Sequence, residues 1–356
     1  MHTPEAARVV ELLIEQIDAL YAEGRYLAAA SAAERAVDAA DQLDDANLLL
    51  RALWREASAL MMSGDPSGSL ARYTRILGMA EDPTVTAGLD ALATRVIFRS
   101  YIYWVESARY AGGIPVRELF AVLDAADRWL IATGHTDWRA GVLLERSATH
   151  AELDEFDKAI TAAQDALAAY NPDAPADYLA SYRLQLGDAL REAGQSGEAE
   201  PHYQAVLDDS PTSHHHSMAW LGLAWCALAR DDPAAAVHHA QAAVQFAESH
   251  GGASLLAQLS GLVAAYRAAG ELDAAKEAAT RKLEIARRIG THYRMYYALS
   301  DAVNIALDRG DHATATALLD ELEQHAAALD TDRQSIFYSN QTAQQRDRLT
   351  DPDSPT

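Results

Sequence analysis

The chain has 356 residues and is strongly acidic, with 29 Lys and Arg against 52 Asp and Glu and a formal net charge of −23. Nucleic-acid binding requires a basic footprint that displaces counterions from phosphates, and anionic membrane surfaces repel a chain of this sign, so no nucleic acid and no membrane is expected as partner. Cys226 is the single cysteine, which rules out an intrachain disulfide and fits a reducing compartment.

The N-terminus, Met1-His2-Thr3-Pro4-Glu5, runs directly into a pattern with Leu12, Leu13, Ile17 and Leu20 at helical spacing. No basic stretch precedes an apolar core, so a signal peptide is not expected. No run of about 18 apolar residues goes unbroken anywhere, so no transmembrane helix is expected either. A cytoplasmic location follows as the default expectation.

From there the chain keeps a metre. Breaks centred on Gly24, Gly64, Gly112, Asp154, Gly194, Asp231, Gly270 and Gly310 recur at intervals of 37 to 48 residues. Five residues after a break stands a small side chain: Ala29, Ser69, Ala159, Ala199, Ala236, Ala275 and Ala315, with Arg117 the exception. Seven further on, Ala36, Ile76, Ala166, Val206, Ala243 and Leu322 are small or apolar, and Lys282 is an exception. Tightly crossed helices need a corner that tolerates a left-handed residue and a compact side chain at the crossing. A large residue at the crossing overpacks, at about 1–3 kcal/mol. The two periodic features are thus one constraint expressed twice.

The register is weakest over residues 85–133, where the interval stretches and Tyr101, Tyr103, Trp104 and Tyr110 cluster. A second seam is the Pro- and Asp-rich stretch from Asn171 to Asp177. His214-His215-His216 follows Pro211; three adjacent histidines cannot all face one ion, and no Cys or spaced Asp completes a set, so they read as loop or helix-cap residues and no metal is expected. Beyond Leu329 the chain turns polar, predicting a capping helix over 333–347 and a disordered tail over 348–356. No period-two alternation occurs, and Pro83, Pro115, Pro172 and Pro211 fall between helices. The expected fold is all-α, a right-handed α-solenoid of about eight helix pairs over residues 1–332.

No H-E-x-x-H, G-x-S-x-G or Walker-type glycine loop is present, and acid pairs such as Glu152 with Asp154 are commonplace in a chain this acidic. No catalytic residues and no cofactor are expected.

The residues resemble the tetratricopeptide repeat family. The fifth unit matches the pattern through Leu186-Gly187, Leu190, Gly194, Ala199, Tyr203 and Pro211; the sixth adds Trp220, Leu223 and Ala236, and the seventh Leu262, Tyr266, Gly270 and Ala275. The units run near 40 residues, longer than the family's consensus, and so look like the arrays of MalT-like bacterial transcription regulators, of peptide-pheromone receptors and of kinesin light chains. Those regulators carry output domains; here the first repeat helix begins by about residue 5 and no output module is expected.

The resemblance implies that the first helix of each pair lines a concave groove, with the residues three and six before each turn pointing into it. Three before the turn stand Arg109, Arg191 and Arg267; six before stand Asp188, Trp225 and Asn304; thirteen before stand Arg51 and Arg99, and Tyr297 is also expected to face the groove. Two readings of the arginines stand open: forks for a carboxylate or phosphate on a ligand, or partners of neighbouring acids. Trp225 and Tyr297 are candidate anchors for a peptide. The implied role is a non-catalytic scaffold or adaptor that binds a protein or peptide partner in the groove, with a homodimer possible. The alternative is a sensor module for a small molecule or short peptide.

Overall fold

In the computed structural model the described residues are 4–43, 45–111, 114–171, 176–209, 214–249, 255–290, 292–328 and 334–350. Among them every regular element is helical. None of these helices is long and apolar enough to cross a membrane.

The chain divides into two compact units, Met1–Gly134 and His135–Thr356. Unit 1 holds α1 (Pro4–Ala22), α2 (Tyr26–Asp41), α3 (Ala46–Ser63), α4 (Pro66–Ala80), the single turn α5 (Pro83–Thr86), α6 (Ala91–Ala111) and α7 (Val116–Thr133). Unit 2 opens on a 3-10 turn and continues with α8 (Arg139–Ala151), α9 (Phe156–Ala168), α10 (Ala176–Glu192), α11 (Ser196–Asp209) and α12 (His214–Ala229). It ends with α13 (Pro233–Ser249), α14 (Leu255–Ala268), α15 (Leu272–Ile289), α16 (His292–Asp308), α17 (His312–Ala328) and α18 (Gln334–Thr350).

The corners form as the residue types require. Gly24, Gly64, Gly194, Gly270 and Gly310 have φ between 69° and 95°, and Asp154 and Asp231 reach 57°; Gly112 lies outside the described residues. At Gly194 the amide donates to the Arg191 carbonyl (2.9 Å) and the next amide, of Gln195, to that of Leu190 (2.8 Å). This left-handed cap satisfies carbonyls that a helix end leaves open. At the crossings, Ala29, Ser69, Ala159, Ala199, Ala236, Ala275 and Ala315 are all completely buried.

Within each unit most helices pack on their chain neighbours, and the first helices also pack on one another: α1 on α3 and α3 on α6 in unit 1, then α8, α10, α12, α14, α16 and α18 in series in unit 2. The second helices make no comparable stack. Within each unit the first helices therefore form the inner layer of an all-α solenoid.

Three local features depart from the expectations. The long third interval contains α5, an extra turn, and Arg117 stays exposed because α7 buries Leu119, Leu123, Ala126 and Leu130 instead. Pro201 lies inside α11 rather than between helices, where it removes one intrahelical donor. The histidine run, expected in a loop or at a helix cap, forms the first turn of α12 itself. At the C-terminus, residues 348–350 belong to α18, and residues 351–356 of the expected tail lie outside the described residues. α18 is tied down by Gln345, whose amide donates to the Ser300 carbonyl (3.2 Å) and hydroxyl (2.9 Å).

Candidate functional site: the inner helix faces

In unit 1, α3 and α6 bring together Trp54, Arg55 and Arg99. The Arg99 guanidinium carbon lies 5.7 Å from the Trp54 ring centre and that of Arg55 lies 6.0 Å away, within reach of a cation–π attraction. Tyr103 packs edge-on to Trp54 at 6.4 Å and stacks on Tyr73 at 6.0 Å. Arg55 grips Asp18 with two parallel hydrogen bonds of 2.8 and 2.9 Å. Arg51 donates to the Asn47 carbonyl (3.1 Å) and stands 3.5 Å from Asp90. Arg109, in the last turn of α6, is half-buried.

In unit 2, α10 places Asp188, Arg191 and Glu192 on one turn. Arg191 lies 3.0 Å from Glu192 and 3.7 Å from Asp188, and Asp188 accepts a 2.7 Å hydrogen bond from the Tyr203 hydroxyl. The Asp188 side chain keeps 37% of its surface accessible. Burial nevertheless pushes its carboxyl above the usual range, against the opposing pull of Arg191 and Tyr203. The Glu192 carboxyl is raised in the same way.

Along the same layer, Trp225 is half-buried on α12 and makes no hydrogen bond or ring contact among the described residues. On α14 and α16 a polar chain forms. Arg267 donates to Asp308 (2.6 Å), Arg348 of α18 donates to the other oxygen of Asp308 (2.7 Å), and Arg348 also donates to the Asn304 side chain (3.0 Å). Burial alone raises the Asp308 carboxyl, but the two guanidinium groups outweigh it and hold it below its usual range. Tyr297 sits in a tyrosine cluster with Tyr293 (4.9 Å), Tyr296 (5.5 Å) and Tyr338 (6.2 Å), and burial pushes its hydroxyl well up.

Lys282, an exception to the crossing pattern, is buried. Its ammonium donates to Asp301 (2.6 Å), to the Tyr297 carbonyl (3.1 Å) and to the Ser260 hydroxyl. It thus reaches from α15 to both neighbouring inner helices.

The residues expected at the inner face do not form one cluster. Arg267 and Asn304 are joined through Asp308 and Arg348; Arg191 belongs to the acids of its own turn; Trp225 stands apart. Sequence reasoning missed Trp54, Asp308 and Arg348. Asp308 is signalled only by its place two residues before Gly310, and Arg348 lies on α18, outside the repeat, where spacing carries no information.

No family model matches the chain, and no curated protein matches its sequence. Solved structures do match its fold. A Rap protein complexed with competence and sporulation factor is similar with a TM-score of 0.59 at 15% identity, over 97% of this chain and 99% of that chain. Yeast Tom70 is similar at 0.53 and 16%, over 92% and 60%. A tetratricopeptide repeat protein from Parabacteroides merdae is similar at 0.50 and 14%, over 83% and 98%. The fold is that of tetratricopeptide-type repeat arrays.

Proposed function

We propose that the chain is a non-catalytic binding module that takes a peptide or protein segment on the inner helix layer of unit 2. The observation that carries this reading is Trp225, half-buried on the stacked inner layer and without a ring or hydrogen-bond partner among the described residues, in the layer where Asp188 keeps 37% of its side chain accessible. Large aromatic groups left half-exposed beside fixed charges are the usual anchors of a bound chain. Likeness of fold to a protein solved with competence and sporulation factor bound supports the same reading.

A peptide is favoured over a small molecule because two of the best-formed depressions lie elsewhere. One is on the charged face of α15, lined by Asp273, Lys276 and Glu284; the other is lined by Glu34, Asp38 and Arg72. Both are open and lined mainly by charged side chains, unlike the enclosed sites that hold a small ligand. Because Arg191 and Arg267 already answer carboxylates of the chain, they position the layer, and Trp225 and Tyr297 supply contact area.

The test is an affinity capture with the full chain, followed by mass spectrometry, repeated with Trp225→Ala. A stoichiometric partner retained by the native chain and lost by at least tenfold in the variant is expected. Equal retention by both chains sinks the assignment.

A further inference from the structure

His292, the first residue of α16, and His325, in the last turn of α17, meet at the end of this helix pair opposite its Gly310 corner. Their Nδ1 atoms are 2.9 Å apart, with ring centres 5.0 Å apart and planes tilted by 53°. In the neutral pair one Nδ1 carries the proton and the other accepts it. Glu321, one turn before His325, faces the pair and is itself engaged by Arg287 at 3.0 Å.

We propose that His292 and His325 form a two-histidine site for a tetragonal divalent ion of the Cu2+ or Ni2+ class, clasping α16 to α17. Two metal–nitrogen bonds of about 2.05 Å at 90° span about 2.9 Å, whereas a tetrahedral pair spans about 3.3 Å. The observed spacing, that of a hydrogen bond between the rings, is also the one that cis ligands of a square or octahedral set take. Among the described residues no group of three or more His, Cys, Asp or Glu is placed to hold an ion, so water completes the coordination. Coordination uses both Nδ1 lone pairs; the proton between the rings passes to Nε2 of the donor ring through exchange with solvent, and no net proton is released. The ion replaces a hydrogen bond of neutral groups with two metal bonds between the ends of two helices. It ties down α16, which carries Tyr297 and Asn304, and this inference stands whether or not those residues bind a partner.

The experiment adds Cu2+ to the full chain and follows its electron paramagnetic resonance spectrum and its Tm. Expected are coupling to two nitrogens and a rise in Tm of about 2–4 °C. Both are lost in His292→Ala and in His325→Ala, whose metal-free helicity and Tm match those of the native chain. Changing His214, His215 and His216 together to Ala leaves the rise intact. An equal rise in Tm with Cu2+ in both single variants, or its loss in the triple variant alone, overturns the proposal.

Discussion

A missing methyl group sets the distance between two helices at Gly222. A Cβ built there would lie 2.4 Å from the Tyr203 ring, and one at Gly187 would lie 2.8 Å from the same ring. Tyr203 is completely buried and its hydroxyl is held by a hydrogen bond to Asp188, so the ring has little freedom to retreat. Gly222→Ala is therefore expected to destabilise the chain by about 1–3 kcal/mol through overpacking, read from the midpoint of urea unfolding at unchanged slope. The gain in helix propensity from Ala, about 1 kcal/mol at most, opposes this and sets the low end. The presence of Gly187 beside a repeated Leu was legible in sequence. That Gly187 and Gly222 serve one ring was not, because it depends on how α10, α11 and α12 meet.

At the scale of the element, Lys282 shows what an exception to the repeat can do. Where most pairs place a small or apolar residue, α15 sends an ammonium through the core to α14 and α16. Its three donors find three acceptors, which a buried charge requires. Lys282→Met leaves Asp301 without its counter-ion. Asp301 keeps 24% of its side chain accessible, so the cost should lie at the low end for a broken buried pair, about 3 kcal/mol. Adding Asp301→Leu should recover most of that loss, and the double-mutant cycle in denaturant separates the pair from the packing. Sequence reasoning marked Lys282 as odd but offered no partner, since Asp301 and Ser260 lie on different helices and in no fixed relation to the turn.

For the molecule as a whole, charge is the dominant solution property. With a net charge of −23, like charges repel across the surface, and added salt screens them over a Debye length of about 8 Å at physiological ionic strength. Raising NaCl from low to physiological strength is expected to raise Tm by a few degrees. A fall would mean that the surface ion pairs, such as Arg55 with Asp18 and Arg75 with Asp41, outweigh the general repulsion.

Residue types along the chain are enough to set the helical class and most of the corners and crossings. Left-handed turns and compact contacts are steric demands that few residue types meet, so Gly, Asp and Ala reveal them wherever they recur. Tertiary structure decided the rest: the added turn α5, the division at Gly134, and the company each charged side chain keeps. An arginine near the inner face of an acidic array has several acids within reach, and spacing along one helix does not choose among them. Asp308 binds Arg267 and Arg348 from two other helices, a choice made by the distances between neighbouring backbones, which only the packed chain defines.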